Sequence, residues 1–130
     1  MTKTFVSTTA APAAIGVYSQ AVIANGTLYI SGQIPLVPET MELVSEDIDQ
    51  QIEQVFENLV AICSEAGATL DDAIKFNVYL TNLAHFPKVN AAMEKRLAAP
   101  YPARAVVEVS ALPRSVQVEI DAIVNLDQGA

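Results

Sequence analysis

The chain has one cysteine, one histidine and no tryptophan in 130 residues, and each shortage removes a class of function. A lone cysteine, Cys63, closes no internal disulfide, and with a single histidine, His85, it supplies no metal-ligand cluster. A Gly-rich phosphate loop and a Gly-x-Ser-x-Gly elbow are also missing. Seven lysines and arginines stand against 15 acidic residues, for a formal charge of −8. Nucleic-acid affinity comes largely from cations that neutralise phosphates, so nucleic acid is a disfavoured partner. No apolar run approaches the roughly 20 residues that cross a bilayer, and Met1, Thr2, Lys3, Thr4 and Phe5 lack the apolar core of a secretion signal. The expected setting is a reducing cytoplasm, with neither membrane nor metal.

What is present is apolar and acidic together. Hydrophobic residues make up 52% of the chain, and the mean hydropathy of +0.32 is high for a domain of this size. Residues 1–130 fit one domain with no room for a second core, and the apolar surplus predicts surface covered by further copies of the chain.

Residues 18–24 and 27–31 flank Asn25-Gly26, the pair that best tolerates a type I′ turn, and predict a β-hairpin. Its second strand is expected to end at Ser31-Gly32, where Pro35 and Pro38 then punctuate a loop. From Ser45 the period changes, with Ile48, Ile52, Val55, Phe56, Leu59, Val60, Ile62 and Cys63 on one helical face. Ser45 is the expected cap and Gly67 the stop. A turn over 70–74 leads to an alternating strand at 75–81. A second helix is expected over 87–98, with Phe86, Val89, Met93 and Leu97 on its apolar stripe and Asn90 among them. Strands at 104–110 and 116–124 follow, and a short one at 3–7 precedes the hairpin. The order β-β-α-β-α-β-β predicts an α+β layer, two helices on one face of a mixed sheet.

Few residues remain to carry chemistry. Cys63, on the apolar helical face, reads as core, and His85 as a loop or cap residue. Arg104 follows the stiff lead-in Pro100-Tyr101-Pro102-Ala103; it is either a surface ion pair or a planar fork for a carboxylate. Glu119 sits on the polar face of an alternating strand with Gln117 and Asp121, either as a solvated acid or as a base that activates water. Asn90 is a buried structural hydrogen-bonder or a site residue. Tyr18 and Ser31 each offer a hydroxyl. If the strands of Arg104 and Glu119 pair antiparallel, the two share a face only when paired positions sum to an odd number; otherwise they cooperate only across a subunit boundary.

Three segments carry a resemblance: Ala13-Ala14-Ile15-Gly16-Val17-Tyr18-Ser19-Gln20-Ala21, then Ile30-Ser31-Gly32-Gln33-Ile34-Pro35, then Pro102-Ala103-Arg104-Ala105-Val106-Val107-Glu108-Val109 with Val118-Glu119-Ile120. Together they resemble the RidA (YjgF) family over about residues 4–125. The resemblance implies a chorismate-mutase-like α+β fold, a homotrimer with sites between subunits, and no cofactor. It also implies hydrolysis of enamines and imines such as 2-aminoacrylate, products of pyridoxal-phosphate enzymes, to 2-keto acids and ammonia: a 2-iminobutanoate/2-iminopropanoate deaminase. Arg104 matches the carboxylate-binding arginine and Glu119 the water-activating glutamate, while Tyr18, Ser31, Gly32 and Asn90 match pocket positions. Val106 stands in the pocket where many members carry cysteine, and Val17 where proline is usual. A deaminase dedicated to one pathway, acting for instance on 2-aminomuconate, and a non-catalytic 2-keto-acid-binding module are the alternatives.

Overall fold

A computed structural model of the protein describes residues 2–127. Among these, six strands form one sheet: β1 (Thr4–Val6), β2 (Ala21–Ala24), β3 (Thr27–Gln33), β4 (Ala73–Leu80), β5 (Ala103–Glu108) and β6 (Val118–Asn125). Their spatial order is β1-β2-β3-β6-β4-β5. The pair β4–β5 is parallel and the other neighbours are antiparallel, so the sheet is mixed. Two helices, α1 (Ile48–Glu65) and α2 (Phe86–Arg96), pack on one face and enclose the apolar core with it. The expected α+β class and element order stand. No helix among the described residues is long and apolar enough to cross a membrane.

The hairpin turns as Asn25-Gly26 predicts, with positive φ at both residues, 51° and 71°, as a type I′ turn needs. Helix α1 buries Ile52, Val55, Phe56, Leu59, Ile62 and Cys63, and Phe56 meets Phe76 of β4 edge to face at 6.2 Å; burying each such ring stabilises the fold by about 1.5–3 kcal/mol. Val60, expected on that face, is exposed. The cap is Asp47, not Ser45. The Asp47 carboxylate accepts from the Gln50 N–H at 3.0 Å, while the Ser45 hydroxyl accepts from the Asp47 N–H and is spent turning the chain into the helix. Gly67 follows the helix with φ 82°, the left-handed stop.

Other boundaries move because side chains take backbone groups out of regular ladders. Helix α2 ends at Arg96 and not at 98, since the Ala98 N–H is drawn off by the Asp71 carboxylate at 3.0 Å. Strand β6 starts at Val118 and not at 116, since Gln51 Oε1 holds the Gln117 N–H at 2.9 Å. Strand β2 starts at Ala21 rather than 18.

Four buried polar side chains fix the irregular segments at one end of the sheet: Gln20, Gln33, Gln51 and Asn58. Gln20 holds the approach to β2 through Thr8, Ala11 and Pro12. From α1, Asn58 donates to the carbonyls of Ile34 and Leu36 at 3.2 and 3.1 Å, and so fixes the loop after β3.

Candidate active site

Strand β3 does not end at Ser31-Gly32. Ile30 pairs with Ala122 and Gln33 with Ile120, so Ser31 and Gly32 together oppose the single residue Asp121. This is a β-bulge, a feature that re-aims side chains near functional sites. It brings the Gly32 backbone against Glu119: a Cβ built on Gly32 would lie 2.1 Å from Glu119 Oε2. Only a residue without a side chain leaves the carboxylate its place.

Around that contact is a cleft of about 480 Å³ lined by Ile15, Tyr18, Ser31, Gly32, Ile34, Pro113, Arg114 and Glu119. Burial, and after it the neighbouring Asp121 charge, push the Glu119 carboxyl above its ordinary range. Ser31 donates its hydroxyl proton to the Ser19 carbonyl at 2.6 Å, which leaves Oγ as an acceptor toward a ligand. The Tyr18 hydroxyl stands over the loop and meets the Ile15 N–H at 3.5 Å.

Arg104 lies elsewhere. It is level with Phe76 of β4, and Phe76 with Ala122 of β6, so Arg104 belongs to the helix-bearing face at the β5 edge. Glu119 is level with Tyr79, which points to the other face because strand side chains alternate. The strands of Arg104 and Glu119 are not neighbours, since β4 runs between them; the direct antiparallel pairing weighed from the sequence does not occur. The two side chains nonetheless fall on opposite faces of one chain.

The Arg104 guanidinium stacks 4.9 Å from the centre of the Phe86 ring and donates to Asn90 Oδ1 and to Met93 Sδ. Asn90 is therefore not the buried residue its place on the apolar stripe suggested. It is exposed and orients the arginine. Val106, two residues on and level with Val78, is half-buried against the core on the same face. Asn90, Met93, Glu94, Tyr101, Pro102 and Arg104 line a second cleft of about 470 Å³. Lysines and arginines elsewhere do form ion pairs: Lys88 with Asp49, Lys95 with Glu53, Arg96 with Glu53 and Glu57, and Arg114 with Glu42. Among the described residues no carboxylate pairs with Arg104.

The sequence-predicted residues thus form two groups. Tyr18, Ser31, Gly32 and Glu119 meet in one cleft, Asn90 and Arg104 in another, with Val106 beside the second. Sequence reasoning missed Arg114, which lines the Glu119 cleft with left-handed backbone at itself and at Ser115, φ 59° and 56°; nothing in the pattern around Pro113 signalled this. It also missed Phe86 and Met93 as the support of Arg104, having read both only as core. Cys63 is buried, and burial pushes its thiol up to about 11, so it is no nucleophile at neutral pH. No group of acidic, histidine or cysteine side chains suited to a metal occurs among the described residues.

Residues 8–126 match the model of a family described as Endoribonuclease L-PSP. The chain is 45% identical over 123 residues to a RutC family protein of Pyrococcus abyssi, covering 95% of this chain and 97% of the relative. It is 39% identical over 125 residues to a 2-iminobutanoate/2-iminopropanoate deaminase of Dermatophagoides farinae, covering 96% and 98%. Among solved structures, RidA from the Antarctic bacterium Psychrobacter sp. PAMC 21119 superposes with a TM-score of 0.90 at 52% identity, over 94% of this chain and 98% of that one.

Proposed function

The chain belongs to the RidA family, whose model is described as Endoribonuclease L-PSP, and from that membership and its two clefts we propose that it is a cofactor-independent hydrolase of 2-imino acids. The observation that carries the reading is Arg104. In a protein of net charge −8, its guanidinium is held by Phe86 and Asn90 with no carboxylate paired to it among the described residues. A planar fork kept in place without a counter-ion suits a substrate carboxylate, which accepts two parallel hydrogen bonds from it.

The complementary half is the Glu119 cleft, and in our reading a second copy of the chain supplies it. The helix-free sheet face exposes Phe5, Tyr29 and Val107; covering that apolar surface favours association, and the homotrimer that the family resemblance implies would set Arg104 of one subunit facing Glu119 of the next. Substrate is then anchored by Arg104, its imine carbon lies at the Gly32 backbone, and its N–H donates to Ser31 Oγ. Glu119 takes a proton from water as the oxygen adds to that carbon. Glu119 returns that proton to the nitrogen, giving a carbinolamine; it then carries the remaining hydroxyl proton to the nitrogen as the C–N bond breaks, so that ammonia leaves and the oxygen becomes the carbonyl of the 2-keto acid. Imines of this kind already decay in water, so positioning and one base supply the acceleration.

The ribonuclease chemistry in the family description is not part of the proposal, because the net negative charge repels a phosphate backbone. A pyridoxal-phosphate serine or threonine dehydratase, coupled to this protein, tests the reading. Keto-acid release from 2-iminopropanoate or 2-iminobutanoate is expected to rise with protein concentration. Binding of keto acids with no gain in rate would contradict it and favour a non-catalytic module; activity confined to 2-aminomuconate would favour a dedicated deaminase.

A further inference from the structure

On the helix-free face of the sheet, beside Glu119, is a polar cluster that the proposed reaction does not use. Asp121 is two residues beyond Glu119 on β6, so the two side chains emerge from the same face about 6.5 Å apart along the strand. Asn77 of β4 is level with Asp121 and donates its side-chain N–H to Asp121 Oδ1 at 2.8 Å. Tyr79, level with Glu119, donates its hydroxyl to Asp121 Oδ2 at 3.3 Å. Both oxygens of Asp121 accept, the arrangement of an ionised carboxylate, and two contacts from the neighbouring strand keep it from swinging away. Asp121 is also the residue that the β3 bulge opposes, so the feature that presents Gly32 to Glu119 lies directly across from Asp121.

We propose that Asp121, clamped by Asn77 and Tyr79, is a positioning residue for the Glu119 carboxyl: its fixed charge makes Glu119 hold the proton taken from water until the departing nitrogen receives it. The inference rests on the reading of Glu119 as the base. A lone carboxylate in water is a weak base near neutral pH, and a second negative charge close by strengthens it. The groups facing Glu119 are Tyr79 from β4, Asp121 from its own strand, Arg114 from the turn before β6 and Tyr18 from the loop before β2; β3 contributes only the Ser31 hydroxyl and the Gly32 backbone. Arg114 is engaged by the Met41 carbonyl at 3.3 Å and by Glu42. The raised Glu119 carboxyl, with Asp121 among its causes, agrees with the arrangement.

The test is the titration of the Glu119 side-chain carboxyl by carbon-detected NMR in the full chain, alongside the pH profile of kcat/KM for 2-iminopropanoate. Asp121→Asn keeps the shape and drops the charge, and is expected to lower the Glu119 midpoint by about half a pH unit to one, with the kinetic limb moving by the same amount. Asp121→Glu restores the charge and is expected to restore the midpoint. If Asp121→Asn does not fold, Asp121→Ser reads the same loss of charge. An unchanged midpoint in the charge-free variant overturns the proposal, as does a shifted midpoint with an unmoved kinetic limb. A native protein that gives imines no acceleration overturns the reading of the function, and with it the role of Asp121 in proton transfer, even if the midpoint moves.

Discussion

Adding one methyl group at Gly32 is the sharpest perturbation the site offers. Gly32 is not among the residues with positive φ, so alanine fits its backbone without strain. The new Cβ would instead stand 2.1 Å from Glu119 Oε2, 2.9 Å from its carboxyl carbon and 3.2 Å from Cγ. Ordinary carbon–oxygen contact is about 3.5 Å, so the carboxylate must withdraw by more than an ångström. It is the end of a flexible side chain in an open cleft and can do so without disturbing the core. The fold is therefore expected to survive while the base leaves its place. Misplacing a reacting group by about 1 Å costs on the order of 10²-fold in rate, about 2.7 kcal/mol. The assay is keto-acid release from 2-iminopropanoate, with a thermal melt of the same sample. Gly32→Ala within threefold of the native rate would refute the claim that Glu119 acts from beside the bulge.

Two further substitutions separate binding from proton transfer. Arg104→Lys keeps the charge but loses the fork and the flat stacking on Phe86, so kcat/KM is expected to fall about tenfold or more, mostly through KM, with the melt unchanged; steady-state kinetics check this. Glu119→Gln is expected to abolish most turnover and to leave the fold as stable or more so. The native carboxyl holds its proton more tightly folded than unfolded, so the stability it contributes is complete below the ordinary carboxylate range and is lost as pH rises through its raised folded value. The Tm of the glutamine variant relative to the native protein should therefore climb as pH rises out of the ordinary carboxylate range and level off above the raised folded value, a trend readable by calorimetry.

Much of this was legible in the residue pattern. The 3.6-residue period of α1, the Asn25-Gly26 turn and the alternation in β4 and β6 are local signals that burial enforced, and they survived folding. Boundaries were less legible because distant side chains decide them: Asp71 stops α2, and Gln51 delays β6. The pattern placed Asn90 on an apolar stripe, where Arg104 in fact claims it across a helix–strand contact. Asp121 and Gln117 looked alike, two polar residues on one strand face, yet the first is clamped by Asn77 and Tyr79 while the second lies before β6 and is held by Gln51. The β3 bulge was the largest omission. Ser31-Gly32 read as a strand end because Pro35 and Pro38 punctuate the segment that follows, and only the pairing with β6 reveals that the strand continues to Gln33. The register of Arg104 and Glu119 is set through β4, which pairs with both β5 and β6, rather than directly.

The most direct test of the account is complementation between two inactive chains. Arg104→Ala lacks the anchor and Glu119→Gln lacks the base; each alone is expected to form intact oligomers with little activity. Unfolded together in equal amounts and refolded, they assemble mixed oligomers in which about a quarter of the clefts receive both native groups, one from each chain. Recovery of about a quarter of the native rate of 2-iminopropanoate hydrolysis is the predicted result. Mixed oligomers as inactive as their parents would contradict a site shared between Arg104 of one subunit and Glu119 of its neighbour.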